Sequence, residues 1–240
     1  MLNNLLSSLL KKKDSSSPKF LKHFILKTPL EENLQPNEEE ILFGCGCFWG
    51  AEKSFWKLPG VKTTSVGYAG GKNINPTYQQ VCSGKTNHAE VVRVTWDTKK
   101  IDLSDLLKMF WECHDPTQGN RQGNDRGTQY RSVIYTYKAN HTDLAFASKS
   151  EYQRLLRKSG FGEITTEIKE NINFYFAEEY HQQYLAKPGS RPYCSAMPTK
   201  IALGSFKGEN YMLNEKVWLS FDWNIRHCVL RSDNNPIIFG

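Results

Sequence analysis

Apolar positions along this chain fall into strand-like and helix-like registers that follow one another without a repeat. Ile41-Leu42-Phe43 is a short unbroken apolar run of strand length. Beyond it Phe48, Ala51, Phe55 and Leu58 fall on one stripe at spacings of three, four and three, a helix that stops before Pro59-Gly60. A strand pattern near Lys62–Tyr68 is closed by Gly70-Gly71, and Asn75-Pro76-Thr77 opens a short helical turn from Tyr78 to Cys82. The stretch His88–Asp97 alternates, placing Glu90, Val92, Val94 and Trp96 on one face and Ala89, Val91, Arg93 and Thr95 on the other. Leu103, Leu106, Leu107, Phe110 and Trp111 make an amphipathic stripe, with Asp102 as its N-cap and His114-Asp115-Pro116 as its end.

The second half is less regular. Thr117–Thr128 is polar and rich in Gly, Asn and Gln, hence a loop, and its place before a strand at Tyr130–Tyr137 suits site residues. Residues 142–159 read as a helix with Ala145, Ser148, Tyr152, Leu155 and Leu156 on one side and Gly160 ending it. Ile164–Ile168 alternates as a strand, and Asn173–Leu185 reads as irregular to helical and crowded with aromatics. From Lys187 onward Pro, Gly, Ser and Arg mark a loop holding Tyr193-Cys194. The order of elements predicts an α+β fold: a single domain with a mixed, mostly antiparallel sheet packed with helices, a two-layer, α-β plait-like arrangement. Its expected bounds are 38–205, between a disordered or targeting tail at 1–37 and an extension of uncertain structure at 206–240, where no clear period is found.

Composition narrows the function classes. The chain has 240 residues, 39% hydrophobic and 12% aromatic, which suits one packed domain plus tails. The net charge of +6 is modest, and six lysines stand against one acid in residues 1–27. With no basic stripe interleaved with aromatics, nucleic-acid binding is not expected. No run approaches the roughly 18 apolar residues of a membrane span. The six cysteines, at 45, 47, 82, 113, 194 and 228, are irregularly spaced and resemble no secreted disulfide framework, so a reducing compartment is expected. A cytoplasmic location follows. The mitochondrion is the alternative, because the first segment is Lys- and Ser-rich and acid-poor, although it lacks Arg.

The candidate chemistry centres on Gly44-Cys45-Gly46-Cys47-Phe48-Trp49-Gly50. Cys47 lies at a strand-to-helix junction, where the free N–H groups of the helix favour an anion and lower a thiol pKa. Glu90 shares a face with Val92, Val94 and Trp96; desolvation there raises a carboxyl pKa and suits a proton donor. The pattern alone favours the other reading of Glu90, an ordinary surface charge at the strand's wet end. Cys45 is read as structural, Cys82 and Cys113 as packing residues in helical patterns, and no Cys or His pair at metal-site spacing accompanies Cys45-x-Cys47.

Several motifs in order carry a resemblance: Gly46-Cys47-Phe48-Trp49-Gly50, Gly67-Tyr68-Ala69-Gly70-Gly71, His88-Ala89-Glu90-Val91-Val92, His114-Asp115-Pro116-Thr117, Gln122-Gly123-Asn124-Asp125, Gly127-Thr128-Gln129-Tyr130-Arg131-Ser132 and Glu179-Tyr180-His181-Gln182-Gln183-Tyr184-Leu185. From about Ile41 to Cys194 the chain resembles the A-type peptide methionine sulfoxide reductases, which act on the S epimer. The resemblance implies Cys47 as nucleophile, Glu90 as the acid protonating the sulfoxide oxygen with help from the Tyr78 and Tyr130 hydroxyls, and Phe48 and Trp49 as the wall for the S-methyl group. It also implies Asp125, His181, Tyr184 and Tyr193 lining the substrate pocket, and Cys194 resolving oxidised Cys47 as a disulfide. Thioredoxin is the implied external reductant, with no bound cofactor or metal. The implied substrates are oxidised proteins and free methionine sulfoxide, and a monomer is expected. The chain departs from many members of the family where Ser195-Ala196-Met197-Pro198-Thr199 replaces a glycine-rich tail with a further cysteine. A two-cysteine cycle of Cys47 and Cys194 is therefore favoured over a relay through Cys228. Two other readings compete: a redox-switched binding module without turnover, and a peroxide-reducing thiol enzyme indifferent to Glu90.

Overall fold

The unbroken apolar run Ile41-Leu42-Phe43 is fully buried because its strand lies in the middle of a sheet covered on both faces. In the computed structural model, which describes residues 21–225 and 228–238, this strand is β1 (Glu38–Cys45). It pairs antiparallel with β3 (Ala89–Asp97), Phe43 opposite Val92, and with β6 (Ser132–Thr136), Phe43 opposite Ile134. β2 (Val61–Ala69) lies antiparallel to β3 and sets Tyr68 opposite Glu90. The sheet is completed by β7 (Glu167–Glu170), parallel to β6, and β8 (Phe174–Phe176), antiparallel to β2, in the order β7-β6-β1-β3-β2-β8. The chain is thus α+β with a mixed, mostly antiparallel sheet.

Helices α1 (Phe48–Trp56), α3 (Leu103–Cys113) and α4 (Ala139–Lys158) cover one face, with the short α2 (Tyr78–Cys82) between β2 and β3. Alternation sends Ile41, Phe43, Val92, Val94 and Trp96 to that side, where Phe43 stacks on Phe55 at 4.9 Å and on Phe110 at 5.2 Å. Leu42, Ala69, Ala89, Val91, Val133 and Tyr135 form a smaller cluster on the other face, under Ile172 and Phe174. The stripe of α3 is buried, and Asp102 caps the helix by accepting from the Ser104 backbone N–H at 2.8 Å.

Four segments differ from the sequence pattern, the first being the strand read at Ile164–Ile168, which begins only at Glu167. Phe174-Tyr175-Phe176, read as irregular to helical, is an edge strand. Three successive aromatics carry no alternation, and the pairing is set instead by Phe174 and Phe176, whose rings lie 4.9 and 4.7 Å from the Arg93 guanidinium. The polar loop contains a two-stranded ribbon, β4 (Arg121–Gln122) and β5 (Asp125–Arg126), turned by Gly123 at φ 57°. Tyr130 ends a 3₁₀ turn, Thr128–Tyr130, rather than opening β6.

The two ends also pack on the domain. Of the expected tail at 1–37, residues 1–20 lie outside the described residues, but His23 and Leu30 are buried. His23 Nε2 lies 2.9 Å from Thr64 Oγ1, which donates to buried Glu52 at 3.1 Å; Gln183 supplies that carboxylate with a backbone N–H at 2.8 Å. Burial pushes the Glu52 carboxyl up to about 7. At the other end Phe206, Val217, Phe221 and Val229 are buried, and the segment includes α5 (Glu215–Leu219) and α6 (Cys228–Arg231). The nearly buried Lys53 and Lys57 donate to the Ser232 carbonyl at 2.8 Å and the Asn235 carbonyl at 3.0 Å, and Trp56 Nε1 donates to the Asn234 carbonyl at 3.0 Å. This strap lacks a hydrophobic period because its buried side chains are widely spaced and backbone carbonyls make contacts between them.

Candidate active site

Cys47 is the N-cap residue of α1, the junction the sequence marks, and Gly46 before it takes φ 89°. A Cβ on Gly46 would stand 2.5 Å from Gln122 Cβ, so only glycine lets the polar loop approach the turn. The first helix N–H, that of Phe48, donates to Glu90 Oε2 at 3.1 Å. Glu90 is 2% exposed, which settles the question its strand pattern left open. Burial, with Asp125 adding charge repulsion, pushes its carboxyl up to about 8 against the pull of the Phe48 N–H. Glu90 therefore carries a proton at neutral pH.

Cys47 differs from the sequence expectation. Burial pushes its thiol well above the ordinary range, and an ionised Glu90 would push it further, opposed by the Trp49 backbone N–H. The helix terminus has few N–H groups to give: Phe48 is spent on Glu90, leaving Trp49 for the sulfur. Among the described residues the resting pair is thus a neutral thiol beside a neutral acid.

An aromatic wall follows from α1. Trp49 stacks on Tyr184 at 3.8 Å between ring centroids and donates from Nε1 to His181 Nδ1 at 3.1 Å. That bond fixes the tautomer: His181 carries its hydrogen on Nε2, which is buried without a protein partner. Burial holds the imidazole down at about 4, hence neutral. Its ring lies 5.1 Å from Phe48 and 4.6 Å from Tyr78. The Tyr78 and Tyr130 hydroxyls are held protonated by burial. Tyr193 donates from its hydroxyl to Asp125 Oδ1, while Oδ2 of Asp125 is buried and unpartnered. Tyr193 also meets Trp49 edge-on at 6.4 Å.

Cys194 is buried in a stretch, 187–206, that has no helix or strand. A Cβ on Gly50 would lie 2.6 Å from its sulfur, so the Cys194 thiol sits against α1 one turn beyond Cys47. Gln122 places this segment: its Oε1 accepts from the Met197 backbone N–H at 3.0 Å, and Nε2 donates to the Asp115 carbonyl at 2.8 Å. All eleven residues singled out in the sequence therefore surround one locus. Sequence reasoning missed Glu178, which accepts from the Tyr78 backbone N–H and from the Tyr68 hydroxyl, both at 2.8 Å, and so ties α2 to β2. Only its position beside the Glu179–Leu185 motif hinted at it. Cys82, read as a packing residue, is exposed.

The family model described as peptide methionine sulfoxide reductase matches residues 39–210. This chain belongs to that family. It is 55% identical over 181 residues to peptide methionine sulfoxide reductase MsrA 1 of Synechocystis, covering 75% of this chain and 81% of that one. A mitochondrial peptide methionine sulfoxide reductase of Bos taurus is 55% identical over 166 residues, covering 69% and 71%. The solved structure of methionine sulfoxide reductase A of Corynebacterium diphtheriae aligns with a TM-score of 0.67 at 46% identity, over 76% of this chain and 88% of that one. The strand-to-helix junction with Cys47 and the partner strand with Glu90 both lie within the family match. Among the described residues no helix is long and apolar enough to cross a membrane.

Proposed function

We propose that the chain is a peptide-methionine (S)-S-oxide reductase that returns the S-sulfoxide of methionine, in proteins and free, to methionine, a repair reaction under oxidative stress. The observation that carries the mechanism is the Phe48 N–H to Glu90 bond, which holds a protonated carboxyl beside the Cys47 thiol. A sulfoxide oxygen leaves poorly until protonated. Glu90 supplies that proton, with the Tyr78 and Tyr130 hydroxyls hydrogen-bonding the same oxygen, while Cys47 attacks sulfur and its own proton restores Glu90. The balance is one thiol plus one sulfoxide giving one sulfenic acid plus one thioether. Because the thiol proton is released as the oxygen takes one up, a thiolate need not accumulate in the free protein.

Phe48 and Trp49 receive the methyl group. His181, Asp125, Tyr184 and Tyr193 close the pocket, with the His181 Nε2–H available to a polar substrate atom. Cys194 then condenses with the Cys47 sulfenic acid, releasing water and forming a disulfide. Thioredoxin, a dithiol protein, resets it by exchange. No bound metal or organic cofactor is required by this balance. The catalytic domain spans 38–205, acts as a monomer, and works in the cytoplasm, with the mitochondrion as the alternative location; neither nucleic acid nor membrane is a partner.

The test supplies a peptide carrying each methionine sulfoxide epimer, with dithiothreitol or thioredoxin. Loss of the S form alone, abolished by Cys47→Ser, is expected. Equal use of both epimers, or full activity in Cys47→Ser, would refute the reading.

A further inference from the structure

Behind the Cys47 helix lies a narrow cavity shared by four other cysteines: Cys45, Cys113, Cys194 and Cys228 line it with Gly50 and Trp223. Two of them form a closer group. The sulfurs of Cys45 and Cys113 and a His114 ring nitrogen lie within 4.8 Å of one another, all three residues buried. Such a group suggests a metal site, but His114 has no free nitrogen. Its Nδ1 meets the Phe110 carbonyl at 2.7 Å and its Nε2 meets Ser132 Oγ at 2.8 Å. What is left is a pair of thiols, one ending β1 and the other ending α3. The neighbouring Cys45 thiol lowers the Cys113 thiol below the ordinary range, while burial pushes Cys45 up. One member is thus a nucleophile and the other keeps its proton.

We propose that Cys45 and Cys113 are a second redox-active pair, which takes over the disulfide formed between Cys47 and Cys194 and so holds an extra pair of reducing equivalents in each molecule. The proposal rests on the oxygen-removing cycle above. In the first exchange the Cys113 thiolate attacks the Cys194 sulfur, the Cys47–Cys194 bond breaks, and Cys47 leaves as a thiolate. In the second, Cys45 loses its proton to the Cys47 thiolate and attacks the Cys113 sulfur, releasing Cys194 as a thiolate. The net change moves one disulfide from Cys47–Cys194 to Cys45–Cys113, with no oxidant or reductant consumed. Cys194 is placed to carry it: its sulfur faces both Gly50 and this cavity, and no helix or strand holds residues 187–206.

The freed Cys47 and Cys194 then run a second turnover without external reductant. The test mixes fully reduced protein, cleared of reductant, with excess methionine S-sulfoxide peptide, counts the methionine formed per chain and maps disulfide-linked peptides. Wild type is expected to form about two methionines and a Cys45–Cys113 link. Cys113→Ala is expected to form about one, and Cys45→Ala, which can make the first exchange but not the second, to accumulate a Cys113–Cys194 link. One methionine from wild type, with no Cys45–Cys113 link, would overturn the proposal while leaving the reductase reading intact. Two from wild type and from both variants, with a Cys194–Cys228 link, would overturn it in favour of an outward path. The mapped link in wild type decides the matter even if a variant folds poorly. No methionine from any of them would contradict the reductase chemistry itself, and this proposal with it.

Discussion

The two sulfurs of the proposed cycle are held in opposite ways. Cys47 sits where a central strand turns into a buried helix, on backbone fixed by β1, by α1 and by the Phe48 N–H to Glu90 bond. Cys194 sits in irregular chain that is placed only by side-chain contacts, with Gln122 beneath it and Gly50 beside it. The contrast matches the tasks. An attacking sulfur must meet a small substrate and an acid at a defined angle, whereas a resolving sulfur must travel to its partner and then present a disulfide to another protein.

The largest expected break in this comparison is at the rigid end. Glu90→Gln keeps the shape and an acceptor for the Phe48 N–H but removes the proton, and methionine formation in a single turnover is expected to fall roughly 10²–10⁴-fold. Because the acid works in its protonated form, the wild-type rate is expected to decline as pH rises through about 8, and the residual rate of the variant to lack that limb. A stability effect of opposite sign accompanies it. A carboxyl whose folded pKa is raised costs nothing below the unfolded value and destabilises as pH rises from there toward 8. Glu90→Gln is therefore expected to unfold at higher temperature than wild type at pH 8, with the difference fading near pH 4.

Next in size is Trp49→Ala, which removes both the stack on Tyr184 and the donor that fixes the His181 tautomer. A loss of roughly 10–200-fold in kcat/KM is expected, mostly in KM, as for an apolar pocket that loses a wall. At the Cys194 end the effect is narrower. Gly50→Ala puts a Cβ at 2.6 Å from the Cys194 sulfur, so disulfide formation is expected to slow several-fold while the first methionine still forms at the wild-type rate. Stopped-flow thiol loss against methionine release separates the two steps. The smallest effect is expected in the C-terminal strap: Asp233→Asn weakens an ion pair to Lys57 whose acid side is largely exposed, and urea denaturation should report about 0–1 kcal/mol.

The same contrast explains what was legible in the sequence. Burial writes itself as a period, so β1, α1, β3 and α3 could be read from Ile41–Phe43, the Phe48–Leu58 stripe and the alternation around Glu90. The motif order brought in the residues of the pocket. The electrostatics of the thiol left no such trace: nothing in the sequence shows that Cys47 is buried deeply enough for desolvation to outweigh the helix terminus, or that the Phe48 N–H goes to Glu90, so the direction of the thiol shift was reversed. Nor does a period mark the strap after residue 206, whose scattered core side chains are joined by carbonyl contacts, or the His23 anchor, which is held by single polar atoms. Cys45 and Cys113, 68 positions apart, meet only because α3 ends against the end of β1.

The central claim is that Cys47 receives the oxygen and Glu90 gives the proton. Its most direct test is a single turnover of Cys194→Ser with a methionine S-sulfoxide peptide, measuring methionine formed and the mass added to Cys47. One methionine per chain with one sulfenic acid, trapped on Cys47, is expected. Methionine formed with Cys47 unmodified, or a sulfenic acid trapped only at another cysteine, would contradict the account.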